Sequence, residues 1–203
     1  MADLCEKRIG VLAMQGAVRE HMRMLEGLGA SALAVKYPDQ LEECHGLIIP
    51  GGESTTIGKL MARHGFLEPL RRRILEGMPV FGTCAGMIVL ARDLVEGDQP
   101  LLGLMHIKVR RNAYGRQVDS FEDRLEIEGI GSREPFTGIF IRAPWIEEVG
   151  PGVQVLSRHQ GRIVMAREGN MLVAAFHPEL TDDRRIHHYF LGMVEGNGTE
   201  RLS

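Results

Sequence analysis

From Ile9 to Leu94 short apolar runs alternate with segments of helical period, and this alternation restricts the fold more than any other feature. Ile9–Met14 has the length and apolar character of a buried strand. In Gln15–Gly29, Val18, Met22, Leu25 and Leu28 recur at helical spacing and Gly29 supplies a stop. Ser31–Val35 and Leu47–Ile49 read as the next strands, the latter ended by Pro50-Gly51-Gly52. Ser54–His64 and Phe66–Glu76 read as helices, Pro79–Phe81 as a strand ending in Gly82, and Ala85–Leu94 again as helix. Strands separated by helices cannot pair as hairpins. They give an open, mostly parallel, Rossmann-like α/β sheet with helices on its faces.

The character changes after Leu104. Ile107–Val109, Leu125–Ile127, Gly138–Ile141, Val153–Leu156, Ile163–Arg167 and Met171–Ala175 are short extended runs, most of them separated by Gly, Pro or Asn. They predict an antiparallel extension, closed by a helix over Asp182–Val194 and a frayed tail from Glu195. With no linker or repeat, residues 1–203 read as one domain with its core at about 8–195.

A net charge of −3 argues against a broad phosphate-binding surface, and hence against nucleic acid. No apolar run approaches the roughly 18 residues of a membrane span. Met1–Arg8 is charged and lacks a signal-peptide core, so the expected location is cytoplasmic. Cys5, Cys44 and Cys84 are odd in number and form no C-x-x-C, which leaves a free thiol and favours a reducing compartment.

Three segments carry candidate chemistry. Gly82-Thr83-Cys84-Ala85-Gly86 has the form of a nucleophile elbow and stands between a predicted strand and a predicted helix. The turn would lift the Cys84 thiol to the carboxyl end of the sheet, and the helix N-terminus behind it favours thiolate. Taken alone, the pentapeptide fits a buried structural cysteine equally well. Phe176-His177-Pro178-Glu179 follows the last strand-like run. Residues i and i+2 of an extended chain share a side, so His177 and Glu179 can serve a common region as base and orienter. A metal reading of that pair lacks a third ligand. In Pro50–Thr56 a Gly pair precedes a helix without the P-loop lysine pattern and at the same sheet edge as Cys84, so an oxyanion hole at Gly51 and Gly52 is the better reading than a phosphate cradle. A plain strand-to-helix turn is its bland alternative. Arg111 and Arg142 could each hold a carboxylate through a planar fork, though each also fits an ordinary surface arginine. Arg71-Arg72-Arg73 reads as a solvated helix face and His187-His188 as a solvated pair.

Together these segments resemble the class I (triad) glutamine amidotransferases. The likeness is strongest to the glutaminase-subunit family of pyridoxal 5′-phosphate synthase and runs from about Ile9 to Val194. The elbow and His-Pro-Glu belong to the wider class. Gln15–His21, Arg111–Phe121 and Phe140–Pro144 are specific to the subfamily. The resemblance implies Cys84 as nucleophile, His177 as base and Glu179 as orienter, with Ala85 as a further oxyanion donor. It places L-glutamine against Gly52, Glu53, Ser54, Arg111, Ile141 and Arg142. It further implies ammonia delivery to a separate synthase subunit, with no metal and no organic cofactor in this chain. A glutaminase subunit of another biosynthetic amidotransferase and a cysteine peptidase-like hydrolase are the alternatives. A flip of the Gly51–Gly52 peptide on docking is the expected control. Gln15 is either the relay for that docking or a helix cap.

Overall fold

The computed structural model describes residues 7–111, 120–130 and 134–196. The elements are β1 (Arg8–Leu12), α1 (Val18–Glu26), β2 (Ser31–Val35), β3 (Gly46–Ile49), α2 (Ser54–Arg63), α3 (Leu67–Leu75), β4 (Val80–Thr83), α4 (Ala85–Leu90) and β5 (Ala91–Leu94). They continue with β6 (Met105–Arg110), β7 (Ser120–Leu125), β8 (Phe136–Ile141), β9 (Trp145–Val149), β10 (Gln154–His159), β11 (Arg162–Glu168), β12 (Met171–Ala174) and α5 (Arg185–Val194). Among the described residues the main sheet runs β2-β1-β3-β4-β12-β11-β9-β6-β5, with β10 on β11, while β7 and β8 pair separately.

The expected α/β architecture is present. β2, β1, β3, β4 and β12 are mutually parallel neighbours, and β12 turns the sheet antiparallel at β11. Every residue of β3, β4 and β12 is buried, as expected of strands covered on both faces. No helix among the described residues is long and apolar enough to cross a membrane.

Several boundaries depart from the sequence reading for tertiary reasons. The segment 85–94 is not one helix. The carbonyls of Val89 and Leu90, which a continuing helix would use, accept from the N–H groups of Leu102 and Leu104, and Ala91–Leu94 leaves as β5 alongside β6. Run 171–175, grouped with the antiparallel strands, is antiparallel to β11 only; its other edge is parallel to β4. β9 was not anticipated, because Glu147 and Glu148 interrupt its apolar character. It is held by β6 through Lys108–Glu148 at 3.1 Å and Arg110–Glu147 at 3.0 Å. α1 and α5 each begin three residues later than expected, and β7 ends at Leu125. The arginine run is only partly a solvated face. Arg71 donates to the carbonyls of Leu101 and Leu102, and Arg73 to that of Cys44, while Arg72 pairs with exposed Glu42. Cys44 and Cys84 are buried free thiols. Cys5, residues 112–119 of the Arg111–Phe121 motif and residues 197–203 of the expected tail lie outside the described residues.

Candidate active site

The register between β4 and β12 builds the centre of the site. Thr83 pairs with Ala174, and Cys84 N–H donates to the Ala174 carbonyl at 2.8 Å. The chain ends that follow, Cys84 on one strand and Phe176-His177 on the other, therefore emerge side by side at the carboxyl edge of the sheet. Open α/β sheets place their ligands at this edge.

Cys84 is held at φ 48° and ψ −100°, a conformation an L side chain rarely adopts. Such a residue costs about 1–3 kcal/mol and persists only where its surroundings enforce it. The flanking glycines have a different task from the turn itself. A Cβ on Gly82 would lie 2.6 Å from the Gly86 carbonyl, and one on Gly86 would lie 2.1 Å from the Ile49 carbonyl. The glycines thus allow α4 to sit tightly on β3 and β4, while Cys84 itself takes the strained backbone.

His177 Nδ1 lies 2.7 Å from Glu179 Oε1, and both side chains are buried. Burial opposes a charge on His177, but hydrogen bonds and charge interaction with Cys84 and Glu179 prevail and lift its pKa to about 10. Burial likewise opposes ionisation of Glu179, yet His21 and His177 hold it below the usual carboxylate range. An ionised Glu179 can only accept, so His177 donates to it from Nδ1, which leaves Nε2 as the nitrogen available to the thiol. Cys84, His177 and Glu179 are thus brought together, in the arrangement that a nucleophile, a base and its orienter require.

The β3–α2 loop covers this group. A Cβ on Gly51 would stand 2.4 Å from His177 Cε1 and 3.4 Å from Cys84 Cβ, so the loop backbone lies against both. The Gly51 carbonyl accepts from Ala17 N–H at 3.2 Å. A trans peptide then directs the Gly52 N–H away from Ala17. Gly16, at φ 103°, makes that contact possible, since a Cβ there would stand 1.7 Å from the Gly51 oxygen. Gln15 Oε1 accepts from Glu53 N–H at 2.8 Å. It ties the β1–α1 loop to the β3–α2 loop and does not cap α1, whose N-cap position, Ala17, has no side-chain bond. Ala85 opens α4, where position leaves its N–H without an intrahelical acceptor.

The remaining predicted residues stand on the β3–α2 loop and the start of α2, just beyond β6, and at the end of β8. Glu53 caps α2 by accepting from Thr55 and Thr56 N–H, and these bonds outweigh desolvation to keep its carboxyl below the usual range. Arg111 Nη2 stands 3.5 Å from Glu53 Oε1. Buried Ser54 Oγ lies 3.2 Å from Gln99 Oε1. β8 brings the Ile141 carbonyl to 4.0 Å from Cys84 Sγ, and exposed Arg142 follows at φ 43°. β8 is tied to His177 as well, because the Ile139 carbonyl accepts from His177 N–H at 2.8 Å.

His187 departs from the solvated-pair reading, and His21 had no role in the sequence reading. His187 is fully buried, while only His188 faces solvent, and His21 is buried against Glu179. Both could have been found by periodicity. His21 falls on the Val18–Leu25–Leu28 stripe, and His187 lies on the stripe of Phe190, Leu191 and Val194.

Residues 11–196 match the SNO glutamine amidotransferase family. The pyridoxal 5′-phosphate synthase subunit PdxT of Moorella thermoacetica is 59% identical over 187 residues, spanning 92% of this chain and 99% of that protein. The subunit of the same name from Carboxydothermus hydrogenoformans is 60% identical over 92% of this chain and 97% of its own length. A crystal structure of a glutamine amidotransferase superposes with a TM-score of 0.88 at 49% identity, covering 92% of this chain and 98% of that one. The structure of PurLQS from Thermotoga maritima, 16% identical with a TM-score of 0.70, shares the fold.

Proposed function

The chain belongs to the SNO glutamine amidotransferase family, and from that premise we propose that it is the glutaminase subunit of a pyridoxal 5′-phosphate synthase. It would act as a single glutamine amidotransferase domain in the cytoplasm. The observation that carries the reading is the convergence of Cys84, His177 and Glu179 at one sheet edge, in a chain more than half identical to proteins of that name.

In this reading the Cys84 thiolate attacks the side-chain amide carbon of L-glutamine. The carbonyl electrons move onto oxygen and are stabilised by backbone N–H groups of the Gly51–Gly52 loop and Ala85. The His177 imidazolium donates its Nε2 proton to the departing nitrogen, releasing ammonia and leaving a glutamyl thioester. Neutral His177 then takes a proton from water, the resulting hydroxide attacks the thioester, and glutamate leaves as the thiolate returns. Glu179 stabilises the imidazolium at each stage. The ammonia passes to a synthase subunit. Glutamine lies against Gly52, Glu53, Ser54 and Ile141, with Arg111 and Arg142 toward its α-carboxylate. Replacing either arginine by Ala should mainly raise KM for glutamine with little change in kcat. Steady-state glutamate release checks this, and an unchanged KM in both variants removes them from the site.

Control by docking follows from the same loop. The Gly51–Gly52 peptide can turn over because glycine occupies either backbone state at little steric cost. One oxyanion donor is worth about 2.7–4 kcal/mol, a hundred- to thousandfold in rate. Gln15 and Ala17 are the contacts through which docking would reach it. The deciding experiment measures glutamate release by the full chain with and without the synthase subunit. A steep rise on adding the partner is expected. Equal rates would remove the control, and no release in either case would remove the glutaminase reading.

A further inference from the structure

Behind Glu179 the protein buries two histidines in series. Glu179 uses Oε1 on His177, but its other oxygen, Oε2, is buried and makes no conventional hydrogen bond. The group facing it is His21 Nε2, 3.5 Å away, which also lies 3.1 Å from Thr83 Oγ1. On its far side His21 Nδ1 meets His187 Nε2 at 2.9 Å. Both imidazoles are fully buried, and Phe81 packs edge-on against each. Desolvation keeps both neutral: it outweighs the pull of Glu179 on His21, and it lowers the His187 pKa to about 3. The 3.5 Å contact is therefore an N–H dipole against a carboxylate rather than an ion pair.

Neutral imidazoles carry one proton each, and that fixes the order of the chain. A lone pair on His21 Nε2 would face an ionised, buried oxygen at 3.5 Å, which is repulsive in a low-dielectric interior. The proton therefore sits on Nε2, where it is hydrogen-bonded to Thr83 Oγ1 and faces Glu179 Oε2 as a dipole. His21 Nδ1 is then an acceptor, so His187 must donate from Nε2. His187 Nδ1 is left as a buried lone pair, and it has no partner among the described residues. A missing acceptor interaction there is cheaper than a stranded N–H.

We propose that His21, oriented by His187, is a positioning residue for Glu179: its Nε2–H anchors Oε2 and thereby holds Oε1 on His177 Nδ1. The inference rests on the glutaminase reading for its kinetic consequence but on geometry alone for its hydrogen-bond order. Without the anchor the carboxylate could rotate about its last torsion, and the Nδ1 tautomer of His177 would lose its fixed partner. Partners that orient a ligand or base from behind typically change activity by ten- to a hundredfold.

The test is made on the full chain together with the synthase subunit. His21→Leu should lower kcat for glutamate release roughly ten- to hundredfold with KM nearly unchanged. His21→Gln, whose amide can both donate to Glu179 and accept from His187, should recover most of that loss. A folded His21→Leu protein with wild-type kcat, or a His21→Gln protein no better than it, overturns the proposal. Should His21→Leu fail to fold, ¹⁵N shifts of the imidazoles in the wild-type full chain decide it. Both His21 and His187 are expected as neutral Nε2–H tautomers, and an Nδ1–H His21 refutes the proposal whatever the activity. A wild-type complex that releases no glutamate defeats the glutaminase reading instead, and the tautomer measurement still stands.

Discussion

Cys84→Ala protein, assembled with the synthase subunit, is expected to release no measurable glutamate from glutamine. A fall on the order of a million-fold in kcat accompanies removal of a nucleophile whose partners act as a unit. The contrast with the other described thiol sharpens the expectation. Cys44 is also buried, but desolvation pushes its pKa up to about 11 and its Sγ donates to the Gln40 carbonyl, 3.3 Å away. It remains a protonated core thiol, and Cys44→Ser should leave turnover nearly intact. The same Cys84→Ala complex should still form pyridoxal 5′-phosphate when ammonium salts replace glutamine, because only the ammonia source has been removed. Glutamate release at the wild-type rate from Cys84→Ala would refute the assignment. Failure with ammonium salts would instead locate the loss in assembly.

The second large effect separates base from orienter. His177→Asn removes the group that both protonates the leaving nitrogen and activates water, so its loss should approach that of Cys84→Ala. Glu179→Gln keeps the base but takes away the charge that stabilises an imidazolium and the acceptor that fixes its tautomer. A decrease on the order of 10⁴-fold in kcat is expected, by comparison with acid-to-amide changes in other triads. Single-turnover acylation of each variant measures the two losses. A larger loss at Glu179 than at His177 would mean the roles are reversed.

What the sequence made legible was governed by local signals. β1, β2, β3 and β4 are short apolar runs ended by turn residues, and nothing distant is needed to recognise them. The elbow and His-Pro-Glu were legible because each lies beside its strand end. What escaped depended on remote partners. The α4–β5 break exists because Leu102 and Leu104 claim helical carbonyls, and β9 exists because basic residues of β6 neutralise its glutamates. The meaning of His21 required Glu179 and His187, which lie on α5 and the turn before it. A histidine on an apolar stripe carries no local sign of what it will meet. The role of the elbow glycines also came from tertiary contact, since their missing side chains make room for Ile49 and for each other.

The place of β12 in the sheet has a consequence for how the protein is made. The ribosome synthesises this strand last among the twelve described strands, yet it lies between β4 and β11. Until it emerges, β4 has an open edge and Cys84 stands without His177 and Glu179. Non-local pairing of this kind is slow to form, and an unpaired edge invites association with other chains. In return, a nascent or truncated chain presents an inert thiol. The proposed triad can assemble only when the strand that completes the sheet arrives with His177 and Glu179 at its end, so completion of the fold must precede any activation by docking.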